Sequence, residues 1–177
     1  MSIYVELGAR VNEGRLFAVP PPDLPGSTME RQLFVSQRIQ MLLEGPWVNQ
    51  EWAERCWGLE ADLHRYVLGE MIAVRLPPSK SVAAYLALLE QPAPPKDKVW
   101  ELRSCVDPQL RLFGQFAEKN RFVALTWEYR SYLGNDADKW YAAMEECKAE
   151  WRKLFPAYDP LLGEHVHDYV SKKFIVV

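Results

Sequence analysis

Residues that often serve as metal ligands or nucleophiles are scarce in this sequence, which has three cysteines and three histidines among 177 residues. Cys56, Cys105 and Cys147 are far apart and form no C-x-x-C pair, so a disulfide framework is not expected. The one histidine cluster, His165-Val166-His167, supplies at most two ligands for a metal such as zinc. No third and fourth ligand follow at a recognisable spacing. We therefore expect a solvated turn at this cluster and neither a metal nor a cofactor.

Long apolar runs are also missing. No window approaches 18 apolar residues, and the first ten residues, MSIYVELGAR, lack the basic start and the apolar run of a signal peptide. We therefore expect neither a membrane span nor a secreted protein, and we expect a cytoplasmic location.

Several common signatures of function are missing as well. The sequence has no glycine-rich phosphate loop, no Ser-His-Asp or Cys-His arrangement at a known spacing, and no helix-turn-helix signature. Its net charge of −3 and its pI of about 5.7 are unlike those of proteins that bind nucleic acid through an overall excess of positive charge. Any nucleic-acid surface must therefore be local.

The sequence is rich in apolar and aromatic residues, which make up 49% and 12% of the chain and are enough for a sizeable core. The length predicts one domain over residues 1–177. Residues 98–130 are dense in strand-forming residues, and Asp107-Pro108 and Glu118-Lys119-Asn120 divide them into three runs. Runs joined by such short connections are expected to pair antiparallel as a meander. We therefore predict an α+β fold, with an antiparallel β-meander of about three core strands plus an N-terminal hairpin, packed against several helices.

The rest of the chain predicts the hairpin and the helices. Ile3–Leu7 and Arg15–Val19 flank the turn signal Asn12-Glu13-Gly14, a pattern typical of a hairpin. The segment 71–76 fits either a short strand or the tail of a helix. Apolar residues at steps of three and four, with capping residues before them, predict helices over 28–44, 49–67, 82–89 and 137–154.

The meander carries six basic residues against four acidic ones, although the whole chain is acidic. Because side chains alternate between the two faces of a strand, Glu101 and Arg103 share a face. Arg111 can share that face from the next strand. Two interpretations are open: a cross-strand ion pair with Glu101, or a phosphate-binding face, for which the planar guanidinium group is well suited. On the third run, Trp127 is a candidate for base stacking as well as for ordinary core packing.

These strand motifs resemble the RelE/HigB-like toxin superfamily, including its phage-derived branch. That family has two helices, a meander that opens with a phrase such as x-W/Y-E-L-R, a strand with an arginine, an apolar strand and a closing helix. The resemblance covers about residues 79–155 and implies a core there, with extensions at 1–78 and 156–177. The matching segments are Val99–Arg103, Gln109–Phe113, Phe122–Leu125 and Ala142–Leu154.

The resemblance implies metal-independent cleavage of messenger RNA at the ribosome, by attack of the 2′-hydroxyl group on the phosphate. It implies RNA, the ribosome or an antitoxin-like protein as partners. Arg103 and Arg111 would bind the phosphate, Arg130 would stabilise the developing charge, and Tyr129 would be an acid or a stacking group. The candidate catalytic residues are Arg111, Tyr129 and Arg130. The candidate RNA-binding residues are Arg103, Lys119, Arg121 and Trp127.

Two features favour a different function. The family's last strand often ends with a histidine and then a Lys-Lys pair, whereas this chain has Thr126 and then Tyr129-Arg130-Ser131. The added segments at both ends would also cover the face that a ribosome-dependent nuclease needs. The alternative is a non-catalytic protein-interaction scaffold related to phages or mobile elements.

Overall fold

A computed structural model describes residues 2–80, 82–89, 98–106 and 109–177. Eight strands and six helices lie in these ranges. The strands are β1 (Leu16–Ala18), β2 (Gln32–Ser36), β3 (Ile72–Arg75), β4 (Leu86–Leu88), β5 (Trp100–Arg103), β6 (Leu110–Glu118), β7 (Arg121–Tyr129) and β8 (Phe174–Val176). The helices are α1 (Ile3–Asn12), α2 (Gln37–Glu44), α3 (Gln50–Val67), α4 (Arg130–Leu133), α5 (Ala137–Leu154) and α6 (Val166–Tyr169).

The strands form one sheet in the order β1-β2-β7-β6-β5-β4-β3-β8. The pairs β2–β7, β3–β4 and β3–β8 are parallel, and the other neighbours are antiparallel. The predicted fold was therefore wrong in its topology, because the sheet is an eight-stranded mixed sheet of an α/β protein. Two of the parallel pairs, β2–β7 and β3–β8, join segments that are distant along the chain, and local turn signals carry no information about such pairs.

The three runs of the predicted meander are β5, β6 and β7, which pair antiparallel in the centre of the larger sheet. Asn120 has φ of 63° in the turn between β6 and β7, a conformation that asparagine tolerates better than most residues. Gly114 lies on β6, beside a register irregularity. The predicted Asp107-Pro108 turn falls outside the described residues.

The predicted N-terminal hairpin was wrong. Residues 3–12 form α1, and β1 pairs with β2 instead. Ile3, Leu7 and Val11 are four residues apart and therefore lie on one face of a helix. Leu7 is buried in the core, and the other two pack against its edge. The helical spacing of these apolar residues therefore predicts the observed structure better than the turn signal Asn12-Glu13-Gly14 does.

Two predicted helices were wrong in whole or in part. The first half of the segment 28–44 holds β2, and the helix begins only after Ser36, whose Oγ accepts a hydrogen bond from the backbone N–H of Ile39. In the segment 82–89 the structure has β4 rather than a helix. Both strands are short and buried, and short apolar runs of this kind fit a strand or a helix equally well by periodicity.

The other two predicted helices are confirmed. The side chain of Asn49 caps α3 by accepting a hydrogen bond from the N–H of Trp52, at 2.9 Å. Asp136 caps α5 by accepting from the N–H groups of Asp138 and Lys139. The segment 71–76, which fitted either a strand or a helix tail, contains β3.

The helices cover the two faces of the sheet. On one face, here called the α3 face, α2, α3 and α6 enclose a core that includes Tyr66, Trp100 and Phe116. On the other, here called the α5 face, α1 and α5 enclose a second core that includes Phe113 and Trp151. Within the described ranges, no helix combines the length and the apolar character needed to cross a bilayer.

Candidate functional site

Four arginines line one cleft on the α5 face, beside the first turns of α5. The cleft has a volume of about 620 Å³ and is here called the arginine cleft. In the part of the chain that the structure describes, its charged lining is Arg75, Arg103, Arg111 and Arg130 with a single carboxylate, Glu101. The other lining residues are Val82, Leu89, Gln109, Trp140 and Met144.

The strand register brings the charged side chains together. Arg103 on β5 lies opposite Arg111 on β6, and Glu101 lies opposite Phe113. Because side chains alternate along a strand, these charged residues share the α5 face. The leucines between them, Leu102 and Leu112, point to the core on the α3 face. The local alternation of the sequence thus places the arginines on one face.

Glu101 is the centre of the charged group, with only 1% of its surface exposed. Its Oε1 atom lies 2.5 Å from Nη2 of Arg103 and 3.6 Å from Nη2 of Arg75. Its Oε2 atom lies 3.2 Å from Nε of Arg111, an ion pair without the alignment of a hydrogen bond. The cross-strand ion pair considered from the sequence is therefore confirmed. One carboxylate faces three guanidinium groups, so the cleft keeps a positive excess.

Arg111 is the most deeply buried of the four arginines that line the cleft, with 7% of its side chain exposed. Its Nη1 donates to the carbonyl oxygen of Leu110 and its Nη2 to Oε1 of Gln109, at 3.2 and 2.9 Å. Burial lowers the pKa of Arg111 to about 10; Glu101 opposes this effect, and Arg103 and Arg130 add to it. The guanidinium group is still protonated at neutral pH.

Arg130 follows the end of β7 and forms one wall of the cleft. Its Nη1 donates to the carbonyl oxygen of Gly134 at 2.6 Å, and its guanidinium lies 5.7 Å from the centre of the Trp140 ring. Trp140 donates its indole N–H to the same carbonyl oxygen, at 3.2 Å. Gly134 has φ of 51°, a conformation that favours glycine. In this conformation its carbonyl oxygen accepts hydrogen bonds from both Arg130 and Trp140. The turn between α4 and α5 therefore positions Arg130.

Sequence reasoning missed two residues of the cleft. Arg75 comes from β3, which enters the sheet through parallel pairing with β4 and β8. No local pattern indicates that this arginine lies near the meander. Trp140 lies in the helix predicted over 137–154, where an apolar residue indicates core packing, and only its position beside Arg130 makes it part of the cleft.

The structure brings together three of the seven predicted site residues, namely Arg103, Arg111 and Arg130. Lys119 and Arg121 lie at the turn between β6 and β7, which the length of the strand puts roughly 23 Å from Arg111. Arg121 is paired there with Glu118 and lies over the ring of Tyr4. These two basic residues are therefore separate from the cleft.

The other two predicted residues, Trp127 and Tyr129, lie on the α3 face. The ring of Tyr129 stacks on Trp52 with the centroids 5.8 Å apart, and Trp127 meets both rings edge-on. The guanidinium of Arg55 lies 4.6 Å from the centre of the Trp52 ring. This packing joins α3 to the end of β7, so both residues contribute to the core on the face opposite the cleft.

The histidine cluster lies at the start of the short helix α6 rather than in the expected turn, with His165 at the N-cap and His167 in the helix. The rings of His165 and His167 stack with centroids 5.3 Å apart. Asp168 accepts hydrogen bonds from the backbone N–H groups of His165 and Glu164, which lower the pKa of its carboxyl group. In the parts of the chain that the structure describes, no group of three or more histidine, cysteine or acidic residues is placed to hold a metal ion.

Comparisons with models of protein families, with curated proteins and with solved structures give no match for this chain. The function is therefore inferred from the arginine cleft.

Proposed function

We propose that this protein binds RNA and that the arginine cleft holds a phosphate group of the RNA. The observation that carries the proposal is the lining of the cleft, where the described residues include four guanidinium groups and one carboxylate. A guanidinium group presents a planar set of N–H donors that matches two phosphate oxygens, and its positive charge strengthens those hydrogen bonds. The acidic charge of the whole chain does not oppose this, because the cleft itself is cationic.

The resemblance to RelE/HigB-like proteins supports RNA as the source of the phosphate. In that family, basic residues on the meander contact the phosphate. Here β5 and β6 of the meander bring Arg103 and Arg111 to the cleft, and Arg130 comes from the residue after β7. The helices α2 and α3 precede these strands and α5 follows them, which is the family's order, although β3 and β4 lie between. A cytoplasmic location is part of the same proposal.

The proposal is RNA binding, with cleavage left as an outcome of the experiment. Attack by a 2′-hydroxyl group requires a group that accepts its proton. Among the described residues that line the cleft, Glu101 is the only carboxylate, and three guanidinium groups surround it. Tyr129 lies on the opposite face of the sheet. The cleft is thus better suited to hold a phosphate than to transfer a proton.

RNA binding is tested by fluorescence anisotropy with a labelled single-stranded RNA at low salt. We expect the Arg130→Gln variant to bind about tenfold more weakly than the wild type, because it removes one phosphate contact. The matched control is Lys119→Gln, which removes a positive charge far from the cleft and should change the affinity by less than about twofold. We also expect the affinity to fall as salt rises. Equal binding by the wild type and Arg130→Gln, or no binding by the wild type at low salt, would overturn the proposal.

Incubating the same RNA with the protein also tests cleavage. RNA fragments that appear with the wild type and not with the double variant Arg111→Ala, Arg130→Ala would extend the proposal to a metal-independent nuclease. Growth arrest on expression of the wild type, abolished in the same double variant, would point the same way.

A second candidate function is a non-catalytic interaction scaffold, as considered from the sequence. It is favoured by an apolar groove of about 350 Å³ between α1 and the strands β1 and β2. Tyr4, Val5 and Met29 line this groove and are 53%, 51% and 44% exposed. Exposed apolar surface of this kind is typical of a protein-binding site. Expression without growth arrest, together with no retention of RNA at low salt, would favour this function over RNA binding.

A further inference from the structure

We infer that the arginine cleft recognises a terminal phosphate monoester of the RNA in preference to an internal phosphodiester. This inference rests on the proposed function and names the part of the RNA that the cleft selects.

The positive charge of the cleft is concentrated around one point. Arg75, Arg103 and Arg111 all lie within 3.6 Å of the carboxylate of Glu101, counted between the nearest nitrogen and oxygen atoms. Arg130 lines the same cavity. Among the described residues that line the cleft, subtracting Glu101 leaves three positive charges. A surface that follows an RNA chain spreads its charges along a groove instead.

The walls of the cleft interrupt any continuous basic groove. Its uncharged lining includes Val82, Leu89 and Met144, and the ring of Trp140 stands beside Arg130. The basic residues at the turn between β6 and β7, Lys119 and Arg121, are roughly 23 Å away along the strands. The volume of about 620 Å³ is that of a site for one small ligand or one nucleotide.

The charge of the ligand distinguishes the two kinds of phosphate. A phosphodiester carries one negative charge, whereas a phosphate monoester carries about −1.5 to −2 at pH 7, because its second pKa is about 6. A monoester also exposes three oxygens that can each accept hydrogen bonds. In a cleft with an excess of three positive charges, the additional charge and oxygen favour the monoester.

The test uses three RNAs of the same short sequence, one with hydroxyl groups at both ends, one with a 5′-phosphate and one with a 3′-phosphate. We expect at least one phosphorylated RNA to bind the full-length protein about tenfold or more tightly than the unphosphorylated RNA at pH 7.5. The preference should decrease at pH 5.5, where the monoester loses most of its second charge. Adenosine 5′-monophosphate should compete with the labelled RNA if the 5′ end is the one recognised, and adenosine 3′-monophosphate if it is the 3′ end.

Variants separate this inference from the proposed function. Arg130→Gln should reduce the preference for the phosphorylated end, and Lys119→Gln should leave it unchanged. Equal affinity for all three RNAs would overturn the terminal-phosphate inference and leave RNA binding intact. If none of the three binds at low salt, the proposed function and the inference both fail.

Discussion

The Nε atom of Arg111 lies 3.2 Å from Oε2 of Glu101 on the neighbouring strand, and both side chains are more than nine-tenths buried. Glu101 also contacts Arg75 and Arg103, so this one carboxylate holds three guanidinium groups on the α5 face. Without its charge the arginines would repel one another. Glu101 is therefore central both to the stability of the sheet and to the charge of the cleft.

Replacing Glu101 with Gln should destabilise the fold by about 3 kcal/mol, since it leaves buried arginines without their counter-charge. Urea unfolding followed by circular dichroism measures the change. The matched control is Glu128→Gln, which removes a partly exposed carboxylate 3.7 Å from Arg38 and should cost less than about 1 kcal/mol. Similar unfolding midpoints for the wild type and Glu101→Gln would contradict the role assigned to this ion pair.

Tyr129→Phe should leave RNA affinity, and any RNA cleavage, within about twofold of the wild type. The physical reason is that the Tyr129 ring stacks on Trp52 on the α3 face, whereas the cleft lies on the α5 face. The substitution keeps the ring and removes only the hydroxyl group. Anisotropy and gel assays on the purified variant measure both properties. A large loss in either, at unchanged stability, would restore the catalytic role that the resemblance implied for Tyr129.

The thiol of Cys105 should react with iodoacetamide only at higher pH than an ordinary cysteine. Cys105 is exposed, but partial burial raises its pKa, and so does the neighbouring carboxylate of Asp62, while Arg65 opposes the shift. Since the thiolate is the reactive form, a raised pKa moves the rate profile to higher pH. Mass spectrometry of alkylation rates between pH 7 and 10 measures the profile.

Two variants in the same region serve as controls for Cys105. Asp62→Asn should move the profile to lower pH, and Arg65→Gln should move it to higher pH. The other cysteines, Cys56 and Cys147, are buried and should stay unmodified while the protein is folded. A Cys105 profile like that of free cysteine would show that Asp62 does not influence the thiol.

Two glycine-to-alanine substitutions should have effects of opposite sign. At Gly114 on β6, an added Cβ would overlap the carbonyl oxygen of Val123 and lie 2.6 Å from Cζ of Phe122, so Gly114→Ala should destabilise the fold by about 2 kcal/mol or more. At Gly8 within α1, a Cβ would meet nothing within 4 Å, so Gly8→Ala should stabilise it by about 0.5–1 kcal/mol. Urea unfolding of both variants measures the difference. Equal effects would mean that the packing around β6 is looser than described.

The sequence predicted best where the signal is local. The helices α3 and α5 were both predicted from their apolar stripes, and their observed starts agree with the predicted ones. The antiparallel pairing of β5, β6 and β7 was predicted too, because short connections join these three runs. The prediction was poorest where a segment is short and buried. β4 was assigned to a helix, because a three-residue apolar strand has no periodicity of its own.

The candidate site was predictable only in part for the same reason. Strand alternation indicated that Glu101, Arg103 and Arg111 share a face, and the structure places them together. Trp127 and Tyr129 were grouped with the basic residues because these are their neighbours along the chain. The register irregularity at Leu125 shifts the alternation of β7 and puts both rings on the α3 face. Arg75 had no local signal, since its strand reaches the cleft through parallel pairing with distant segments.

By itself, the sequence determined which segments become the long helices and the central strands, and that Glu101 and Arg103 share one face of β5. These properties follow from residue spacing and from caps within a few residues. Only the tertiary structure decided that β2 pairs with β7, about 90 residues further along the chain. It also decided that Glu101 contacts three arginines and that Trp140 and Met144 of α5 line the cleft beside them. Such contacts depend on the packing of segments that are distant along the chain, because the buried area gained by packing is a property of the whole fold rather than of any one segment.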